Sequence, residues 1–165
     1  SAHLAAKKGL PYAFASHFAS THLHNALRIY EQEFQPSEFL STPYKIAGIN
    51  VIMADTNEEA EKLFTSLLGM FYGMITGNMQ TVQPPTEMTE EWRQIFKHPS
   101  VNQMLKYSFV GNKETVKKKI LEFLTETNVD ELIAVSSMYS SQDRIKSAQL
   151  FADVMKEINV NLATQ

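Results

Sequence analysis

Apolar runs alternate with amphipathic helical patterns along this chain, and that alternation constrains the fold more than any other feature. Leu10–Ser16 (LPYAFAS) is apolar on both faces, Tyr44–Thr56 (YKIAGINVIMADT) is rich in Ile and Val, and Asp130–Tyr139 (DELIAVSSMY) repeats the theme. Strands apolar on both sides belong to parallel sheets covered above and below. Strands separated by helices connect through right-handed crossovers into such a sheet. The sequence therefore predicts an α/β fold with about three parallel strands and flanking helices. Three are too few, because two-faced strands need neighbours at both edges. The expectation is a single partial domain over residues 1–165, belonging to something larger.

Local signals place the elements. Ser1–Lys8 reads as the last turns of a helix closed by Gly9, a residue that accepts left-handed dihedrals without a Cβ clash. Thr21–Phe34 is helical, with Leu23, Ala26, Leu27 and Tyr30 on one stripe and Ser20 or Thr21 as its cap. Thr56 followed by Glu59 is a capping box, and Ala60, Leu63, Phe64, Leu67, Leu68 and Phe71 continue at helical spacing. The pattern then fails, and residues 76–86 are expected to form a loop within a long excursion after the second strand. Glu87–Phe96 reads as a short helix, and Ser100–Val110 as another that ends extended. After the Gly111-Asn112 turn, Lys113–Leu124 is amphipathic through Val116, Ile120, Leu121 and Leu124. A last helix, Ser141–Ile158, is expected to bury Phe151, Val154, Met155 and Ile158.

Composition removes several functions. The formal charge is -3, with no basic patch interleaved with aromatics, so nucleic acid is not an expected partner. There is no cysteine, which excludes disulfides, thiolate metal sites and cysteine nucleophiles and agrees with a cytoplasmic location. No apolar run is long enough to span a bilayer. His17, His22 and His24 do not make a metal site: His22 and His24 stand at i, i+2, off a common helix face, and no carboxylate completes a set. Neither G-x-S-x-G, G-x-G-x-x-G nor a P-loop occurs.

In parallel α/β folds, sites form at the carboxyl ends of the strands. The three expected strands end in Ser16-His17, Ala54-Asp55-Thr56 and Ser136-Ser137. Asp55 and Thr56 read first as the helix start, with Thr56 as the cap and Asp55 suited to the positive end of the helix dipole. Ser136 and Ser137 either line a site or satisfy strand-end backbone groups. The pattern points to one shared rim without naming a reaction.

The segment Gly9–Ser20 (GLPYAFASHFAS) resembles the bacterial luciferase-like flavin-dependent monooxygenases. Further similar stretches follow in order: ALRIYEQEFQPSEFL, NVIMADTNEEAEKLFTSL, TGNMQTVQPP, SFVGNKETV and DELIAVSSMYSSQDRIKSAQL. One departure is Ser20, where the family usually has proline. The resemblance implies a (β/α)8 TIM barrel of bacterial-luciferase type, of which this chain would be the C-terminal part: strands six to eight, with Ser1–Lys8 ending the fifth helix. It implies that FMN, reduced by a separate flavin reductase, reacts with O2 to oxygenate an organic small-molecule substrate. Ser1 matches the last hydroxyl of a phosphate-binding turn. Ser16 and His17 match the rim after the sixth strand, with Asn50 and Ser136 as candidates by position, all cofactor-binding. No catalytic residue is assigned. The part alone is expected to bind FMN poorly, to lack turnover and to self-associate as a homo-oligomer through open edges. Two alternatives stand beside this reading: a non-catalytic, self-associating luciferase-like module, and a deazaflavin-dependent oxidoreductase.

Overall fold

The computed structural model of the 165-residue chain describes residues 1–164. In chain order it contains α1 (Ala2–Lys7), β1 (Tyr12–Phe14), a 3-10 turn (Ser20–His22), α2 (Leu23–Glu33), β2 (Lys45–Met53), α3 (Asn57–Thr76), α4 (Glu90–Lys97), α5 (Pro99–Met104), β3 (Ser108–Gly111), α6 (Lys113–Thr127), β4 (Glu131–Val135) and α7 (Ser141–Ala163). All strand pairs are parallel and all involve β2. The fold is a mixed α/β half-barrel arrangement around that one strand.

The sheet has four strands rather than the three expected. The extra one is β3, the extended end of the segment read as a second short helix. It is only four residues long and pairs Asn50–Met53, above the stretch Lys45–Ala47 that pairs β1. Backbone bonds put β1 and β3 on one edge of β2: Tyr44 O accepts from Tyr12 N, and Asn50 N donates to Tyr107 O, both at 3.0 Å. The other edge takes β4, where Asp130 N donates to Lys45 O at 2.8 Å. A strand's side chains alternate between faces. Ala47, Ile49, Val51 and Met53 enter one core with residues of α1, α2, α6 and α7. Ile52, on the opposite face, enters a second core with α3 and α5.

Several local expectations hold. Gly9 is left-handed at φ 59°, and the bonds Gly9 N to Ala6 O and Leu10 N to Ala5 O close α1 as a Schellman turn. Thr56 accepts from Glu59 N at 3.1 Å, and Ala60, Leu63, Phe64, Leu67, Leu68 and Phe71 are buried. Asn112 caps α6 through Thr115 N at 2.9 Å.

Others need correction. Neither Ser20 nor Thr21 caps α2: the N-cap is His22, without a side-chain bond. Ser20 instead donates its hydroxyl to Gln103 O, and Thr21 accepts from Gln103 Nε2, so both hydroxyls fasten the 3-10 turn ahead of α2 to α5. The first strand is three residues, with Ala13 and Ala15 exposed, because one of its faces is not covered. On α6, Leu121 points outward at 42% exposure and Phe123 takes the core position, packing on Tyr107 and Phe109.

The excursion after α3 is strapped to that helix. Ser66 Oγ donates to Gln83 O at 2.7 Å, Thr86 N donates to Thr65 Oγ1 at 3.0 Å, and Trp92 Nε1 donates to Thr86 Oγ1 at 2.9 Å.

Candidate functional site at the strand ends

The segment following β1 turns sharply, with Ser16 N donating to Phe14 O at 2.9 Å. That turn lays Ser16 and His17 over the middle of β2. Ser16 is fully buried, and its hydroxyl donates to Gly48 O at 2.6 Å. Asn50, also buried, donates through Nδ2 to His17 O at 2.5 Å and to Ser108 Oγ at 3.4 Å. One amide thus ties the turn after β1 to the start of β3.

His17 occupies the place a side chain at position 48 would fill. A Cβ added to Gly48 would lie 2.7 Å from His17 Nδ1. The ring packs edge-to-face on Phe18, with centroids 4.9 Å apart. Its Nδ1 is buried and has no hydrogen-bond partner. Burial holds the imidazole's pKa below the usual histidine range, because the charged form loses hydration there.

Of the five residues singled out in the sequence, Ser16, His17 and Asn50 come together. Ser136 flanks them across β2, donating its hydroxyl to Val51 O at 2.7 Å. Ser1 stands apart: its hydroxyl lies 3.3 Å from that of Tyr12, a residue of the helix-side core. Asp55 is taken by an ion pair with Lys146. Among the described residues no group of three or more His, Asp or Glu is placed to hold a metal.

Two participants were not singled out in the sequence. Gly48 had a signal: an isolated glycine in an apolar strand marks close approach of another group. Ser108 had none, since β3 was not recognised as a strand. Ser108 also lines a cavity of about 250 Å3 with Phe64, Phe96, Met88 and Val110 in its wall and Arg93, Lys97 and Lys119 around it. Arg93 is paired there with Glu61 at 3.0 Å.

No family model matches the chain. It is 39% identical over 158 residues to a luciferase-like monooxygenase of Escherichia coli (strain K12), covering 96% of this chain and 47% of that protein. In three dimensions it is similar to apo-MsnO8, with a TM-score of 0.78 and 23% identity over 94% of this chain and 47% of that one. It also resembles the oxygenating constituent of 3,6-diketocamphane monooxygenase of Pseudomonas putida, solved in complex with FMN, with a TM-score of 0.54 and 16% identity over 91% and 43%. The chain spans about half the length of the relatives it matches.

Proposed function

We propose that the chain, similar over nearly all its length to a luciferase-like monooxygenase, belongs to that family and forms the C-terminal half of a flavin-dependent monooxygenase barrel. The observation that carries the half-barrel reading is the sheet itself. β1 and β4 each pair on one side only, and Ala13 and Ile133 are exposed on strands written for a covered interior. Strands of a closed barrel pair on both sides.

The rim residues fit part of an FMN. His17 offers an uncharged ring at the strand ends, suited to the polar edge of a flavin ring system. Ser16, Asn50 and Ser136 spend their hydrogens on backbone carbonyls and hold that rim in place. With those donors already taken, these three residues do not fit the phosphate. Ser1 is kept only as one member of a phosphate turn otherwise outside this chain. Bound reduced flavin supplies the activation of O2 and oxygen transfer, while the protein positions reactants and excludes water. The cavity sharing Ser108 with this rim is assigned to the organic substrate. A separate flavin reductase and a cytoplasmic location complete the proposal.

Fluorescence titration with FMN tests it. The full-length protein should quench flavin emission at low-micromolar concentration, and this chain alone should not. Tight binding and turnover by this chain alone would overturn the half-barrel reading. The absorbance of cofactor released from the full-length protein separates FMN from a deazaflavin.

A second reading is a self-associating module. It is favoured by the exposed Ile133 and by the single-sided pairing of β4. Light scattering on this chain decides whether those edges bring copies together.

A further inference from the structure

We infer that His17 is a positioning residue: a neutral imidazole held as the Nε2–H tautomer, offering one fixed hydrogen-bond donor to a carbonyl or ring-nitrogen acceptor of a planar, uncharged ligand group. The inference starts from Gly48. Every other residue of β2 has a Cβ, but here the ring takes that space, with Nδ1 only 2.7 Å from where the carbon would stand and Cε1 3.4 Å from it. The ring's position is set by a missing side chain.

The tautomer follows from which nitrogen is shut in. A neutral imidazole carries a proton on one nitrogen and a lone pair on the other, and the cation carries a proton on both. Nδ1 is buried against the strand and has no acceptor within reach. A buried N–H without an acceptor is rarer and costlier than an under-used lone pair. The proton therefore sits on Nε2, leaving the lone pair of Nδ1 facing Gly48. Burial acts in the same direction by disfavouring the cation, and no charged neighbour contributes to its shift.

The donor is also held still. The carbonyl of His17 accepts from Asn50, and the hydroxyl of the preceding Ser16 is bound to the carbonyl of Gly48. Both ends of the dipeptide are thus tied to β2, and the ring leans edge-on against Phe18. A donor fixed before the ligand arrives loses little freedom on binding. An uncharged donor brings no counter-charge to a phosphate, so the partner assigned to it is a neutral acceptor. That the acceptor belongs to a flavin ring rests on the function proposed above; the tautomer and the role of Gly48 do not.

Two-bond proton–nitrogen correlation spectra of this chain labelled with 15N-histidine read the tautomer directly, with His17→Gln assigning the signal. The expected result is an Nε2–H pattern at neutral pH and a titration midpoint below the ordinary histidine value. Gly48→Ala should displace the ring, moving the midpoint toward the ordinary value and mixing the tautomers. An Nδ1–H pattern, or an ordinary titration in the unaltered chain, overturns the inference even if Gly48→Ala does not fold. Adding FMN to the labelled full-length protein separates the two proposals. A shift confined to Nε2 supports both, and an unmoved Nε2–H signal supports the tautomer while removing the flavin as its acceptor.

Discussion

β2 and β4 are written in nearly the same alphabet, yet they are buried to very different degrees. In β2 every residue but Ile46 is buried; in β4 none is, and Ile133 is 47% exposed. Pairing explains half of the contrast: β2 carries β1 and β3 on one edge and β4 on the other, while β4 has β2 alone. Face coverage explains the rest. Leu132 packs against the helix-side core, but its neighbour Ile133 faces a side that nothing among the described residues covers. An apolar strand reports the environment its complete fold provides. Where composition and burial disagree, part of that environment is elsewhere.

Substitutions along β2 and β4 sharpen the contrast. The largest loss is expected at Ile49, which is fully buried among the helices. Ile49→Ala should cost about 2–5 kcal/mol in urea unfolding, from lost burial plus the cavity left behind. A cost under about 1 kcal/mol would mean the helix-side core is loose. Next comes Asn50→Ala on the opposite face, which strands the His17 carbonyl and the Ser108 hydroxyl. It should cost about 1–3 kcal/mol and raise amide exchange from Ser16 to Ala19. If exchange rises only in β3, the amide is not what holds the turn.

The parallel sheet, the helix order and the strand-end rim were legible because they follow from periodicity and from local chemistry. Thr56 and Gly9 do their work within one turn of their own positions. What escaped depends on partners distant in sequence. Ser20 reads as a helix cap, but its hydroxyl meets Gln103, 83 residues away. β3 is four residues beside a short helix, and only its register with Asn50–Met53 makes it a strand. Leu121 and Phe123 are both apolar residues of α6, and nothing in the helical period alone selects the aromatic that packs edge-to-face on Tyr107 and Phe109. At the rim, Ser16 and His17 read as two neighbouring groups of one site. The fold keeps them together but gives them different tasks, spending the serine on the Gly48 carbonyl and leaving the histidine Nδ1 without a partner.

Acid distinguishes the His17 side of β2 from the helix side. The folded pKa of His17 lies below the ordinary histidine value of about 6.5. Between those two values the unfolded chain binds more protons, so stability rises with pH through that window and falls on acidification below 6.5. The unaltered chain should lose this increment in denaturant titrations run from pH 7 to 5, and His17→Gln should not. Equal slopes for the two would break the assignment.

The smallest effect is expected at β4, and it is the most informative about the open face. Ile133→Ala removes an exposed side chain and should change stability by no more than about 0.5 kcal/mol, against several at Ile49. That near-silence holds only while the face stays bare. If a second copy covers it, the cost of Ile133→Ala will grow with protein concentration, because the dimer's burial is linked to folding. A cost that is large at every concentration would place Ile133 inside a core of this chain alone, and the contrast between β2 and β4 would then need another cause.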